Sequence, residues 1–141
     1  MKDLQQGEIS MTFPSQTSYV HMATMVANNA ASIAGFDEGI AGKVAIATDE
    51  AVTNVIRHAY KGKPDKQITL KVEITKESLI IKILHTGKAL KKEDIHLPVM
   101  KEYIANRRVG GLGLYIINQF MDEVDYLVGK EHCCQMTKYR R

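Results

Sequence analysis

Apolar and polar residues alternate in several short stretches of the chain, which is the pattern of a β-strand with one buried face. The first stretch covers 9–13, and the most regular one covers 68–75, where apolar residues alternate with Thr, Lys and Glu. A more apolar stretch at 79–84 predicts a central strand. Two further stretches, at 124–128 and 134–139, complete a set of five predicted strands.

A spacing of three and four between apolar positions predicts three helices. The first helix follows Ser15, a candidate N-cap, and ends before Gly35, where a left-handed residue suits a helix end. The second begins at Asp37, another candidate N-cap, and runs to about Tyr60. The third covers 115–121 and follows a cluster of glycines.

The predicted order is strand, two helices, two strands, a long loop, one helix and two strands. Short turns between successive strands favour antiparallel pairing, so we expect an α/β (α+β) fold. It would be a two-layer sandwich with a mixed, mostly antiparallel sheet and helices on one face. The loop covers 88–109, with a short helix predicted at 99–104, and loops of this length in small domains are often functional. No linker or repeat divides the sequence, so one domain is expected over 1–141.

The composition is that of an ordinary globular protein, 45% apolar and 25% charged, with a formal net charge of +3. Its basic residues form no stripe interleaved with aromatic residues, so a nucleic-acid surface is not expected. We also expect no signal peptide, since polar and charged residues follow Met1, and no apolar run reaches the roughly 18 residues of a membrane helix. The only cysteines, Cys133 and Cys134, are neighbours and do not resemble a disulfide framework, which favours the cytoplasm.

Candidate chemistry begins on the second helix, where Glu50, Asn54 and His58 recur every four residues and are predicted to share one face. A carboxamide oxygen one turn from a carboxylate suits Mg²⁺, which prefers oxygen ligands and keeps several waters. The carboxylate can also take a proton from an attacking hydroxyl. A solvated polar face would show the same spacing, and the pair alone leaves both interpretations open.

A second candidate is the cluster Gly110-Gly111-Leu112-Gly113 at the start of the third helix. Glycines let the backbone approach a ligand closely, and the free N–H groups of a helix start attract phosphate. The cluster is neither a Walker A loop nor a Rossmann fingerprint, because the required neighbours and spacing are missing. A helix cap or a hinge would explain the glycines equally well.

Three pieces occur together in the chain: EAxxNxxxHAY at 50–60, a strand ending in x-x-Gly at Gly87, and GGLGL at 110–114 leading into a helix. In this order they resemble the ATPase domain shared by histidine kinases, gyrase and the Hsp90 chaperone (the GHKL or Bergerat family). Within that superfamily the chain looks most like the anti-sigma-factor serine kinases of bacteria. The resemblance covers nearly the whole chain, although the middle motif matches poorly.

The resemblance implies that the protein uses ATP and Mg²⁺. It makes Asn54 the Mg²⁺ ligand and Glu50 the general base that activates a serine hydroxyl on a partner protein. Residues 91–109 would form a lid over ATP, and Arg107 or Arg108 would either reach a phosphate or be solvated. The residues implied to contact the nucleotide, besides Asn54, are His85, Gly87, Arg108, Gly110, Gly111, Leu112, Gly113 and Leu114.

The chain departs from the family pattern at the adenine end of the site. His85 replaces the aspartate that accepts a hydrogen bond from the adenine amino group, and Ala89 replaces the next glycine after Gly87. Residues 131–133 replace the usual Gly-Thr before the last strand. A neutral imidazole can accept a hydrogen bond through one nitrogen, so His85 would serve weakly, reject adenine or have no ligand role.

The function implied by the resemblance is an anti-sigma factor with ATP-dependent serine-protein kinase activity toward an anti-sigma factor antagonist. Such a protein regulates transcription by exchanging partners: the unphosphorylated antagonist captures the kinase and frees the sigma factor. The resemblance also implies a homodimer. The alternative is a regulatory binding module on the same fold, with a degenerate nucleotide site and no catalysis, which the change at His85 favours and the pair Glu50 and Asn54 opposes.

Overall fold

The computed structural model of the protein describes residues 6–90 and 111–140, with side chains for all of these except 111–115. Within these ranges, a 3-10 turn at Thr17–Tyr19 precedes the first α-helix and a π-helical turn at Val55–Ala59 continues the second. The strands are β1 (Gly7–Pro14), β2 (Gln67–Ile74), β3 (Ser78–His85), β4 (Glu123–Leu127) and β5 (His132–Tyr139). The α-helices are α1 (Val20–Ile33), α2 (Glu38–Asn54) and α3 (Gly111–Phe120).

The strands form one sheet in the order β1-β2-β3-β5-β4, and every neighbouring pair is antiparallel. The most apolar strand, β3, is central as predicted, because it is the third of the five strands and is paired on both sides, with β2 and with β5. Ile81 lies opposite Val72 of β2 and Met136 of β5, and all three side chains are fully buried. The sequence pattern therefore identified the centre of the sheet correctly.

The helices cover the buried face of this sheet, so the predicted two-layer sandwich is confirmed. α1 contacts β2 and β3, α2 contacts β3, and α1 and α2 pack against each other. Many of the buried side chains of these two helices are small: Ala23, Ala27, Ala30, Ala31, Ala41, Ala47 and Ala51. Among the helices described, none has the combination of length and apolar composition required to cross a bilayer.

The caps predicted at the end of α1 and at the start of α2 are confirmed, but the N-cap predicted at Ser15 is wrong. Gly35 has a positive φ of 94°, and the Asp37 side chain accepts a hydrogen bond from the Ile40 N–H, as expected of a C-terminal and an N-terminal cap. Ser15 caps no helix. Its hydroxyl donates to the Lys63 carbonyl (2.6 Å) and accepts from the Lys66 N–H (3.0 Å). Ser15 therefore holds the turn before β2, a contact between segments far apart in sequence.

Two other helix boundaries differ from the predicted ones. The second helix reaches Ala59 only through the π-helical turn, in which the Tyr60 N–H bonds to the Val55 carbonyl five residues earlier. The third helix begins at Gly111, four residues before its predicted start, so the backbone of 111–114 is helical. The short helix predicted at 99–104 lies outside the described residues.

Replacing Asp37 by Ala should lower the free energy of unfolding by about 0.5–2 kcal/mol, because the Ile40 N–H loses its side-chain acceptor at 2.8 Å. Urea denaturation of the wild type and the variant measures this difference. The matched control is Asp37→Asn, which keeps an acceptor oxygen and should retain most of the stability. Equal losses of unfolding free energy in both variants would show that the lost stability does not come from the hydrogen bond to Ile40.

Candidate functional site

Asn54 is a buried polar side chain at the last residue of α2. Only 5% of its surface is exposed, and its Nδ2 atom has no hydrogen-bond partner within the described residues. A buried donor without a partner costs about 1–3 kcal/mol, so a protein retains one where something else supplies the acceptor. Asn54 is therefore not part of a solvated polar face.

Glu50 lies one helical turn before Asn54 and is partly exposed. Partial burial raises its pKa above the ordinary value, the charge of Asp49 raises it further, and Arg57 opposes both effects. A carboxylate whose pKa is raised holds a proton more readily, which suits a general base that must take one from a hydroxyl group. The sequence prediction of a carboxylate and a carboxamide on one helical turn agrees with this arrangement.

His58 was predicted to share the face of Glu50 and Asn54, and it lies beyond the α-helical part of the second helix. It lies in the π-helical turn and is exposed, whereas Asn54 is buried. The change from α to π geometry lies between Asn54 and His58, so the two residues have different surroundings although they are four residues apart.

The end of the π-helical turn holds the segment that follows β3. The Ala59 carbonyl accepts a hydrogen bond from the Lys88 N–H at 2.9 Å. The buried Tyr60 hydroxyl donates to the Gln67 carbonyl at 2.6 Å and accepts from the Thr86 N–H at 2.9 Å. This polar role of Tyr60 could not be read from its position in the motif.

Gly87 touches this helix end so closely that no side chain fits. A Cβ atom at this position would lie 2.5 Å from the Ala59 oxygen and 2.8 Å from Cδ1 of Tyr60. Contacts this short with backbone atoms force one of the two segments to move. The x-x-Gly motif therefore has a structural reason in this chain: only glycine lets the end of β3 lie directly against the end of α2.

His85 is buried at the end of β3, with 2% of its surface exposed. Its ring lies edge-on to Tyr60, with centroids 5.8 Å apart, and 5.5 Å from the ring of His132. Burial, followed by the charge of His132, lowers the pKa of His85 to about 4, so the ring is neutral near pH 7. Its Nδ1 accepts a hydrogen bond from the Gly87 N–H at 3.2 Å.

The remaining predicted site residues lie at or beyond the limits of the described structure. Arg107, Arg108, Gly110 and the lid predicted at 91–109 lie outside the described residues. Gly111, Leu112, Gly113 and Leu114 form the start of α3, where only their backbone is described. α3 packs against α2, and Lys43 of α2 lies over the Phe120 ring at 5.6 Å.

Comparison with known proteins identifies one family across most of the chain. The family described as histidine kinase-like ATPase domain matches residues 13–138. The serine-protein kinase RsbW of Listeria innocua is 31% identical over 136 residues, covering 94% of this chain and 87% of that protein. RsbW of Bacillus subtilis is 27% identical over 135 residues, covering 93% and 84%.

Solved structures of low sequence identity show the same fold. The RsbU and RsbW domains of Rv1364c from Mycobacterium tuberculosis superpose with a TM-score of 0.66 at 12% identity, covering 96% of this chain and 32% of that one. A chain of the SiaB–SiaC complex from Pseudomonas aeruginosa gives a TM-score of 0.59 at 15% identity, covering 94% and 88%. At these identities the likeness concerns the fold alone.

Replacing Gly87 by Ala should destabilise the protein by about 1–3 kcal/mol, because the new Cβ would overlap the Ala59 carbonyl. Urea denaturation measures the effect. The matched control is Gly42→Ala inside α2, where a Cβ meets nothing within 4 Å and should stabilise the helix by about 0.5–1 kcal/mol. A Gly87→Ala variant as stable as the wild type would contradict the close approach.

Proposed function

Because the chain belongs to the histidine kinase-like ATPase domain family and its relatives are RsbW serine-protein kinases, we propose that it is an anti-sigma factor with serine-protein kinase activity. It would inactivate a sigma factor and use ATP to phosphorylate a serine of an antagonist protein. The observation that carries the proposal is the pair on α2: a buried Asn54 amide without a partner in the described chain, one turn after Glu50.

Asn54 fits the role of the residue that holds Mg²⁺ and the nucleotide. Its oxygen is the type of ligand that Mg²⁺ accepts, and its Nδ2 can donate to a phosphate oxygen or to a metal-bound water. Bound Mg²⁺ would neutralise charge on the phosphates during transfer. The same contacts would satisfy the buried amide, so ligand binding would remove the cost of leaving it unpaired.

Glu50 fits the role of the general base. In the reaction the serine oxygen of the antagonist attacks the γ-phosphorus of ATP, the bond to ADP breaks, and the serine proton passes to the Glu50 carboxylate. The raised pKa of Glu50 favours that proton transfer, and its partial exposure leaves it accessible to a protein substrate.

The phosphates would bind at the start of α3, through Gly110, Gly111 and Gly113 in the GGLGL motif, with Arg108 and the 91–109 lid above them. Backbone N–H groups in the first turn of a helix have no partner within the helix and attract anions. The packing of α3 against α2, with Lys43 over the Phe120 ring, supports this, since it places α3 beside the helix that carries Asn54.

The partners of the protein belong to the proposal as well. A sigma factor and a serine-bearing antagonist are proposed from the RsbW relatives, and the SiaB–SiaC complex shows that a chain of this fold assembles with another protein. We further propose a homodimer of one-domain chains in the bacterial cytoplasm.

A second candidate function is a regulatory binding module without catalysis. It is favoured by the base end of the site, where His85 replaces a carboxylate and its Nδ1 is already used by Gly87. Nucleotide binding and phosphoryl transfer separate the two candidates.

Replacing Asn54 by Ala should abolish the Mg²⁺ dependence of ATP binding without unfolding the protein, because the amide nitrogen bonds to no described protein group. Calorimetric titration with ATP, with and without Mg²⁺, measures this. The matched control is Thr53→Ala, at the neighbouring residue on α2. This variant should keep the Mg²⁺ dependence of ATP binding. If the wild type shows no heat with millimolar ATP and Mg²⁺, the non-catalytic module is the better description.

Replacing Glu50 by Gln should retain nucleotide and antagonist binding but slow phosphoryl transfer by about 10²–10⁴-fold, because an amide cannot accept the serine proton. Transfer of labelled phosphate to the purified antagonist measures the rate. In the wild type the rate should fall as pH drops through the raised pKa of Glu50, which then becomes protonated.

The control for this experiment is Asp49→Asn at the exposed neighbouring carboxylate. It should keep phosphoryl transfer and move the acidic limb of the pH profile to lower pH, because the charge of Asp49 contributes to raising the pKa of Glu50. Undiminished transfer by Glu50→Gln would refute the assignment of the base.

A further inference from the structure

Basic side chains are concentrated at the end of the second helix and in the turn that follows it. Residues 57–66 and Lys88 together carry five basic side chains and one acidic one, a net charge of +4, whereas the whole chain carries +3 and its remainder therefore −1. Lys88 belongs to this group because its N–H bonds to the Ala59 carbonyl at 2.9 Å. The five side chains are all exposed and form the basic patch: Arg57, Lys61, Lys63, Lys66 and Lys88.

The described part of the chain does not neutralise the basic patch. None of its five side chains forms an ion pair with a carboxylate of the described residues, and Asp65 is the one acidic residue in the segment 57–66. Of the five, only Arg57 lies in the last helical turn, where the helix dipole favours a cation. The helix end therefore does not explain the other four charges.

The backbone that carries the basic patch is held in place by residues from the other side of the fold. The buried Ser15 hydroxyl donates to the Lys63 carbonyl and accepts from the Lys66 N–H. The side-chain amide of Gln16 donates to the Pro64 carbonyl at 3.2 Å. A surface whose backbone is fixed before binding loses less conformational entropy when a partner docks on it.

Lys61 has a backbone conformation that favours glycine. Among the described residues it is the only one other than glycine with a positive φ, 52°, and it directly follows Tyr60, the C-terminal cap of the π-helical turn. Helices often place glycine after the cap, because a Cβ atom is disfavoured in the left-handed region. Glycine would therefore stabilise this turn, and the presence of lysine indicates that its side chain has a role of its own.

We propose that the basic patch is the docking surface for an acidic face of the antagonist protein that carries the phosphorylated serine. The inference rests on the proposed kinase function, and it adds which surface receives the substrate protein and which charge that protein presents. Opposite charges on two proteins raise their rate of association and select their relative orientation.

The position of the basic patch relative to Glu50 suits this role. Arg57 is close enough to Glu50 for its charge to lower the pKa of that carboxyl group. Lys61 follows Arg57 in the same continuous segment, directly after the π-helical turn. A protein docked on the patch therefore lies next to the partly exposed carboxylate that must meet its serine hydroxyl.

The side chains around the basic patch favour a protein over a nucleic acid or a membrane. Single-stranded nucleic acids stack on exposed aromatic rings, but Tyr60 is only 5% exposed and its hydroxyl bonds to the Gln67 carbonyl. Membrane surfaces are bound where apolar side chains accompany basic ones. The large apolar side chains that are exposed in the described chain all lie outside the patch.

The test is the transfer of labelled phosphate from ATP to the purified antagonist by the full chain and by the double variant Lys61→Gln/Lys63→Gln. We expect KM for the antagonist to rise about tenfold and kcat to stay the same, because the variant loses attraction for the partner but no group that takes part in the chemistry. The difference should shrink at about 1 M salt, where the Debye length is about 3 Å. The matched control Lys76→Gln/Lys130→Gln removes two exposed charges outside the patch and should keep the wild-type KM.

The variant Lys61→Gly separates a docking role of Lys61 from a structural one. Glycine accepts a φ of 52° without strain, so the urea midpoint of unfolding should rise. The same variant should raise KM for the antagonist about threefold, because it removes one exposed charge of the patch. A more stable variant with the wild-type KM would contradict the docking role.

The outcomes separate the inference from the proposed function. Transfer by the wild type with an unchanged KM in Lys61→Gln/Lys63→Gln would overturn the inference and leave the kinase function intact. Absence of both antagonist binding and phosphate transfer in the wild type would overturn both. Labelled polyuridylate and phosphatidylserine vesicles test the other polyanions: binding of either probe that is lost in the double variant, with KM unchanged, would replace the acidic protein by a nucleic acid or a membrane.

Discussion

The structure depends on the contact between the end of α2 and the segment that follows β3. The Ala59 carbonyl accepts the Lys88 N–H, Gly87 lies directly on that carbonyl, and the Tyr60 hydroxyl bonds to Thr86. The contact joins the helix that carries Glu50 and Asn54 to the strand that carries His85. Two backbone contacts and the hydroxyl of the buried Tyr60 therefore fix both halves of the candidate site relative to each other.

The π-helical turn makes this contact possible and explains why α2 does not end in an ordinary cap. In an α-helix the last carbonyls need partners from outside the helix. Here the Tyr60 N–H bonds to Val55, and the Ala59 carbonyl remains available to Lys88. π-helical turns are often found at functional sites, and in this chain the turn directly follows Asn54. The irregular turn thus links helix termination to construction of the site.

The polar groups at the site differ in whether they have a hydrogen-bond partner within the described chain. The polar groups around Tyr60 are paired within the protein, which fixes the geometry of the turn. The Asn54 amide is buried without a partner in the described chain, which costs about 1–3 kcal/mol in the absence of a ligand. A paired network gives rigidity, and an unpaired group next to it gives affinity for whatever supplies the missing acceptor. This division is typical of a preorganised binding site.

The sequence alone predicted the five strands, the three helices, the caps at Gly35 and Asp37 and the position of Glu50 one helical turn before Asn54, because these depend on local periodicity and backbone preference. Only the tertiary structure decided the roles of Ser15, Tyr60 and Gly87. The partners of Ser15 lie about 10² Å or more away along an extended chain, and the neighbours of Gly87 are set by packing. It also decided the environment of His85, since burial keeps the ring neutral near pH 7 and its Nδ1 accepts a hydrogen bond from the Gly87 N–H. Contacts between distant segments leave no periodic pattern in the sequence, and so they could be found only in the folded chain.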